Sequence, residues 1–153
     1  MNIDRDAPVI TQDEIVIAAP VEAVWGRLTD IDTWTEWNPE IASAKLDDPL
    51  AVGSVFRWTT VGMDIASTIG ELVPHQRIAW SGLAQGIMGI HVWNFTAVDG
   101  GTLVQTEESW EGKPVRIQIN LLQSALNESI RTWLENLKSV AETTGDAVPE
   151  VRT

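Results

Sequence analysis

The sequence predicts an α+β fold in which an antiparallel sheet faces one long C-terminal helix. Three observations predict it. From Pro114 to Thr144, apolar residues recur at helical spacing: Ile119, Leu122, Leu126, Ile130, Trp133, Leu137 and Val140, with Leu134 and Ala141 on the flanks. Between residues 41 and 111, six strand-like runs are separated by turn residues. One further strand and two short helical stretches precede them, so the order is strand, two short helices, six strands, one long helix.

Taken in order, residues 1–10 lack periodicity and read as a loose, flexible end. Glu14 to Ala18 is a first strand, rich in β-branched residues. Ala19-Pro20 opens a short helix over Val21–Leu28, where Val24, Trp25 and Leu28 share a face. Asp30 or Asp32 is suited to cap a second short helix over Thr33–Trp37, which Asn38-Pro39 stops. Strands follow at 41–46, 53–61, 64–73, 76–82, 87–98 and 102–111. Pro114 suits a first helical position and Gly145 the stop. A helix of that extent is roughly 45 Å long, enough to cross a small domain. Ile117 and Leu121 fall off its stripe; another segment covers them, they form a dimer patch, or the helix starts later than Pro114. A single domain over 11–145 and a flexible tail at 146–153 complete the expected layout.

The last hairpin defines one wall. If Gly100-Gly101 is a two-residue turn, Asp99 faces Thr102, Phe95 faces Thr106, Trp93 faces Glu108 and His91 faces Trp110. Alternation then puts His91, Trp93, Phe95 and Ala97 on one face with Val104, Thr106, Glu108 and Trp110, and this more aromatic face is assigned inward. A three-residue turn would instead bring in Leu103, Gln105 and Glu107. Phe56 and Trp58 oppose Arg57, and Ile78 and Trp80 oppose Arg77, by the same alternation.

Composition narrows the function classes. Ten Lys plus Arg against 22 Asp plus Glu give a net charge of −12 over 153 residues, unsuited to nucleic acid or anionic membrane surfaces. There is no cysteine, no signal-peptide pattern at the N-terminus, and no apolar run approaching the ~20 residues of a membrane span. A cytoplasmic protein without membrane insertion is expected. Two histidines in unrelated contexts offer no zinc set, and neither a P-loop nor a dinucleotide fingerprint is present, so no metal or cofactor is expected. Eight Trp beside two Phe and no Tyr stand out.

Ala18-Ala19-Pro20, Val24-Trp25, Asp30 and Trp34-Thr35-Glu36-Trp37-Asn38-Pro39 resemble the START-like (SRPBCC) superfamily of helix-grip proteins. Within it, the likeness is to the polyketide cyclase/dehydrase and lipid-transport branch. Gly53 with Phe56 and Trp58, Glu71-Leu72-Val73-Pro74 before Arg77-Ile78-Ala79-Trp80, and Asp99-Gly100-Gly101-Thr102 continue it over residues 12 to 143. The resemblance implies a seven-stranded antiparallel sheet curled around the C-terminal helix, with a cavity between them and the two short helices at its mouth. It implies no single activity, because this fold hosts carriers, sensors, cyclases and co-chaperone-like proteins. No fixed catalytic signature carries over to this chain.

Trp58, Trp80, Trp93, Trp110 and Trp133 converge on the expected interior from four strands and the helix. They suit a flat hydrophobic ligand, although tryptophans equally serve to pack a core. With Trp37, Phe56, Phe95, Leu122, Leu126, Ile130, and Gln123 as a polar anchor, they make up the expected ligand wall. His91 and Glu108, diagonal neighbours about 7 Å apart in this register, are the acid/base candidates and complete the wall; a satisfied strand pair is the alternative. The expected function is binding of a small aromatic, polyketide-like or lipid-like molecule, by a monomer or homodimer. The alternative is a cyclase or dehydratase that moves protons through His91 and Glu108.

Overall fold

The computed structural model describes residues 1–147, with side chains to residue 143. Its elements are β1 (Val9–Ile17), α1 (Val21–Thr29), a 3-10 turn (Ile31–Thr33), α2 (Trp34–Trp37), β2 (Ile41–Leu46), β3 (Val55–Thr60), β4 (Met63–Val73), β5 (Arg77–Ala84), β6 (Ile87–Val98), β7 (Gly101–Glu111), α3 (Lys113–Arg116) and α4 (Ile119–Ala147). Seven antiparallel strands form one sheet, ordered β1-β7-β6-β5-β4-β3-β2. Register shifts between Ile41 and Ser43 in β2 and between Ile69 and Glu71 in β4 interrupt the ladders. Such bulges bend strands and increase twist, which helps the sheet curl around α4. This is the helix-grip arrangement.

The main core lies in the grip. Leu126, Ile130, Trp133, Leu134, Leu137 and Ala141 of α4 are buried against Phe56, Ile69, Ile78, Trp80, Trp93 and Val104 of the sheet. Trp34 is the hub: it is fully buried, its Nε1–H donates to the Leu28 carbonyl at 2.8 Å, and it makes edge contacts with Phe56, Trp58 and Trp133. Asp30 and Asp32 cap neither short helix with their side chains. Asp32 instead accepts from the Leu46 amide at 2.7 Å and ties the helical segment to β2.

Both ends of the chain depart from expectation. The N-terminal segment is docked on the sheet's outer face: Ile3 is buried with Ala79 and Val92, and Val9 and Ile10 already belong to β1. The Met1 ammonium pairs with Glu71 at 2.7 Å, and Arg77 bonds the same carboxylate at 2.8 Å. The long helix is two pieces, α3 and α4, broken at Ile117-Gln118. Ile117 and Leu121 are 72% and 64% exposed, so no other described segment covers them; Ile117 falls at the break, and Leu121 stays exposed on α4. α4 also runs through Gly145, since an interior glycine costs a helix only about 1 kcal/mol. Beyond its first two residues, the tail expected at 146–153 lies outside the described residues.

The β6–β7 hairpin has a different register from the expected one. Val98 pairs with Gly101, Trp93 with Thr106 and His91 with Glu108. The turn residues are therefore Asp99-Gly100, not Gly100-Gly101. Gly100 has φ +83°, which glycine adopts at little cost. Gly101 lies so close to β1 that a Cβ there would sit 1.9 Å from the Ile17 carbonyl oxygen. The slip is two residues, so every side chain keeps its predicted face while its partner changes.

Candidate functional site

A cavity of about 230 Å³ opens between the sheet and the first half of α4. Trp58, Trp80, Trp110 and Trp133 supply aromatic walls, while Ile65, Ile87 and Leu122 supply aliphatic ones. Asn38, Glu40, Thr60, Val61 and Met63 also line it. Two glycines, Gly82 and Gly89, line its inward face, and at Gly82 an added Cβ would meet the Ala66 carbonyl oxygen at 2.7 Å. At Gly89 an added Cβ would come within 3.7 Å of Glu108 Oε2 and 3.5 Å of Trp110 Cδ1.

Of the predicted wall, Trp58, Trp80, His91, Glu108, Trp110, Leu122 and Trp133 do line the cavity. Phe56, Trp93, Leu126 and Ile130 instead lie in the packed core. Phe95 packs edge-on against Trp25 near α1, with ring centroids 5.3 Å apart. Trp37 is buried against Trp133 at 5.8 Å and closes one end of the core, its Nε1 without a hydrogen-bond partner. Gln123 turns to the sheet edge, where its amide donates to the Ile10 carbonyl at 2.9 Å.

The α4 discrepancy is one of angle. Leu122, Ala125, Ser129 and Trp133, spaced by three and four, face the cavity, whereas Leu126 and Ile130, one residue further round, face the core. That row of small residues beside the apolar stripe was the available signal for Ala125 and Ser129. Ser67 was also readable, from its alternation with Ile65 and Ile69; its Oγ accepts from Trp58 Nε1 at 3.1 Å.

Deep in the cavity, His91 and Glu108 are directly cross-strand and not diagonal. His91 Nδ1 is 3.4 Å from Glu108 Oε1. His91 Nε2 is 2.9 Å from Thr106 Oγ1, and the Thr106 hydroxyl donates to the Val92 carbonyl at 2.9 Å. With its own hydrogen engaged, that hydroxyl can only accept from the ring, so Nε2 carries the imidazole proton and Nδ1 is an acceptor. Glu108 Oε2 accepts from Trp110 Nε1 at 3.0 Å. Burial pushes the Glu108 carboxyl up to about 7, partly opposed by the Trp110 hydrogen bond, and pushes His91 well below its ordinary 6.5. Both groups thus favour neutrality. Glu108 is 15% exposed, through the cavity, against 2% for His91, so the carboxyl is the group a ligand meets.

At the mouth, Glu40 is raised by desolvation and by the neighbouring Glu128. No group of three or more His, Cys, Asp or Glu among the described residues is placed to hold a metal ion. No helix among them is long and apolar enough to cross a membrane.

Comparison with known proteins agrees with this geometry. The family model described as polyketide cyclase/dehydrase and lipid transport matches residues 8–142. Among solved structures, a hypothetical protein of Helicobacter pylori superimposes with a TM-score of 0.81 at 18% identity, covering 91% of each chain. A START superfamily protein from Mycobacterium smegmatis gives 0.78 at 14% identity, covering 88% of this chain and 98% of its own. The Zhui aromatase/cyclase from Streptomyces sp. R1128 gives 0.77 at 17% identity, covering 94% and 96%. At these identities the superpositions speak for the fold.

Proposed function

The chain belongs to the polyketide cyclase/dehydrase and lipid-transport family of START-like proteins, and from that premise we propose that its cavity binds a small, flat, hydrophobic molecule. The observation that carries the reading is the cavity itself, walled by the indoles of Trp58, Trp80, Trp110 and Trp133. Its volume of about 230 Å³ is roughly half as large again as the ~150 Å³ that holds one benzene ring. Two fused rings fit that space. Apolar walls supply the affinity, and a few polar groups, chiefly Glu108, Asn38 and Ser129, supply orientation.

Native mass spectrometry of freshly purified protein, compared with its denatured mass, tests the reading. An adduct lost on denaturation gives the ligand class by mass. Titration with a naphthalene-sized probe, followed by tryptophan fluorescence, covers a ligand lost during purification. Absence of both an adduct and any probe binding would defeat the proposal.

A second reading has its own observation, the Glu108 carboxyl that keeps its proton to about 7 while facing the cavity. Such a group is poised for general acid–base work, as an aldol closure or a dehydration requires. In this reading Glu108 exchanges protons with the ligand and His91 Nδ1 stands behind it as the internal acceptor. Glu108→Gln then retains ligand affinity and loses turnover of a poly-ketone substrate. Equal turnover by the variant would remove this reading and leave the binding one intact.

A further inference from the structure

The polar groups of the cavity are strongly one-sided. Among the described residues that line it, two carry carboxyls, Glu40 and Glu108, and none is Lys or Arg. Arg116, just past β7, is engaged outside in its pair with Glu111 at 2.7 Å. At the mouth, burial and the neighbouring Glu128 raise the Glu40 carboxyl, and neither glutamate is in an ion pair among the described residues. In the depth, Trp110 already donates to Glu108 Oε2, and the ring nitrogen facing Oε1 is an acceptor. Once Glu108 gives up its proton, Oε1 and Nδ1 are two acceptors 3.4 Å apart with no donor between them. An N–H from a ligand satisfies that arrangement. A carboxylate or phosphate worsens it.

Resting on the binding reading above, we propose that the cavity selects an aromatic molecule bearing a protonated amine, with the ammonium seated at Glu108 and the ring between the tryptophans. The indole faces suit this choice as well as the carboxyl does, because a cation is attracted to the negative face of an aromatic ring. The net charge of −12 draws cations toward the protein and repels anions before contact. Gly89 is part of the design: it keeps clear the space beside Glu108 Oε2 that a Cβ would enter.

Three matched probes test the proposal by calorimetry at pH 8: naphthylmethylamine, naphthylmethanol and naphthoate. The amine is expected to bind at least tenfold more tightly than the alcohol, and naphthoate most weakly. In Glu108→Gln the amine-to-alcohol ratio falls toward one while the alcohol still binds. Gly89→Ala, whose added methyl makes only ordinary contacts, weakens all three and confirms that they sit beside Glu108. Naphthoate binding as tightly as the amine, or a ratio unchanged in Glu108→Gln, would overturn the charge preference and leave the hydrophobic pocket standing. If none of the three binds the wild-type protein, both the preference and the pocket reading fall.

Discussion

His91 Nδ1 and Glu108 Oε1 face one another at 3.4 Å, and the remaining polar atom of each side chain is already bonded, Nε2 to Thr106 and Oε2 to Trp110. Each thus turns its one unbonded polar atom toward the other across neighbouring strands. Burial in a low-dielectric interior keeps both neutral, since either charge alone would be costly there.

This pair gives stability a specific pH dependence. Glu108 is raised from 4.5 to about 7, so between those values the folded state holds a proton that the unfolded chain has released, and stability falls as pH rises. His91 is lowered from 6.5, so below that value the unfolded chain takes up a proton that the folded state refuses, and stability falls as pH falls. The two slopes oppose each other from 4.5 to 6.5 and leave a plateau there. Urea denaturation of wild type and Glu108→Gln across this range isolates the carboxyl. The wild-type advantage should shrink steadily toward pH 7, by up to about 3 kcal/mol at 1.36 kcal/mol per unit. A difference between the two that does not vary with pH would contradict the assignment.

Nitrogen-edited NMR of the His91 ring tests the hydrogen-bond chain itself. The expected spectrum at pH 6 is a neutral ring protonated at Nε2, because Thr106 can only accept at that position. Thr106→Val strands the buried Nε2–H and should cost about 1–3 kcal/mol. An imidazolium signal at pH 6, or a ring protonated at Nδ1, would refute the arrangement.

Trp58 and Trp93 should behave oppositely when truncated. Trp58 lines the cavity and is half-buried, whereas Trp93 is fully buried and touches Trp80, Trp133 and His91. Trp58→Ala is expected to weaken probe binding tenfold or more with a smaller loss of stability. Trp93→Ala should cost about 3–5 kcal/mol, as large-to-small core changes do. Equal effects on binding and on stability for both variants would show that the cavity wall is misassigned.

Much of this fold was legible because period and punctuation agree along the chain. Asp99-Gly100-Gly101 announces a hairpin, and the alternation of His91, Trp93 and Phe95 identifies its inward face. Of those three residues the Asp-Gly pair forms the turn, itself a strong local hairpin signal, while Gly101 packs too close to Ile17 for a Cβ. The site was legible on the strands and less so on the helix. A strand has two faces, whereas a helix turns 100° per residue, so Leu126 and Ala125 part company, one to the core and one to the cavity. Trp93 was placed on the correct face but lies deeper than the cavity wall. Facing inward distinguishes core from solvent, and it does not distinguish core from pocket.

The two hairpin glycines separate conformational cost from steric cost. Gly100 holds φ +83° with nothing within 4 Å of an added Cβ, so Gly100→Ala meets only the left-handed backbone penalty, about 1–2 kcal/mol. Gly101 holds φ +154°, and its added Cβ would lie 1.9 Å from the Ile17 carbonyl oxygen, a backbone atom that cannot move aside without displacing β1. Thr102 sits next to this contact and donates its hydroxyl to the Ala19 carbonyl at 2.8 Å, so displacement there also disturbs the entry to α1. Gly101→Ala should therefore cost clearly more than Gly100→Ala in thermal or urea denaturation. It should also loosen amide protection along Glu14–Ile17, where β1 pairs with Thr102 to Gln105. If the two variants are equally stable, β1 does not press on the hairpin as described, and the turn position must be reconsidered along with the His91–Glu108 register that follows from it.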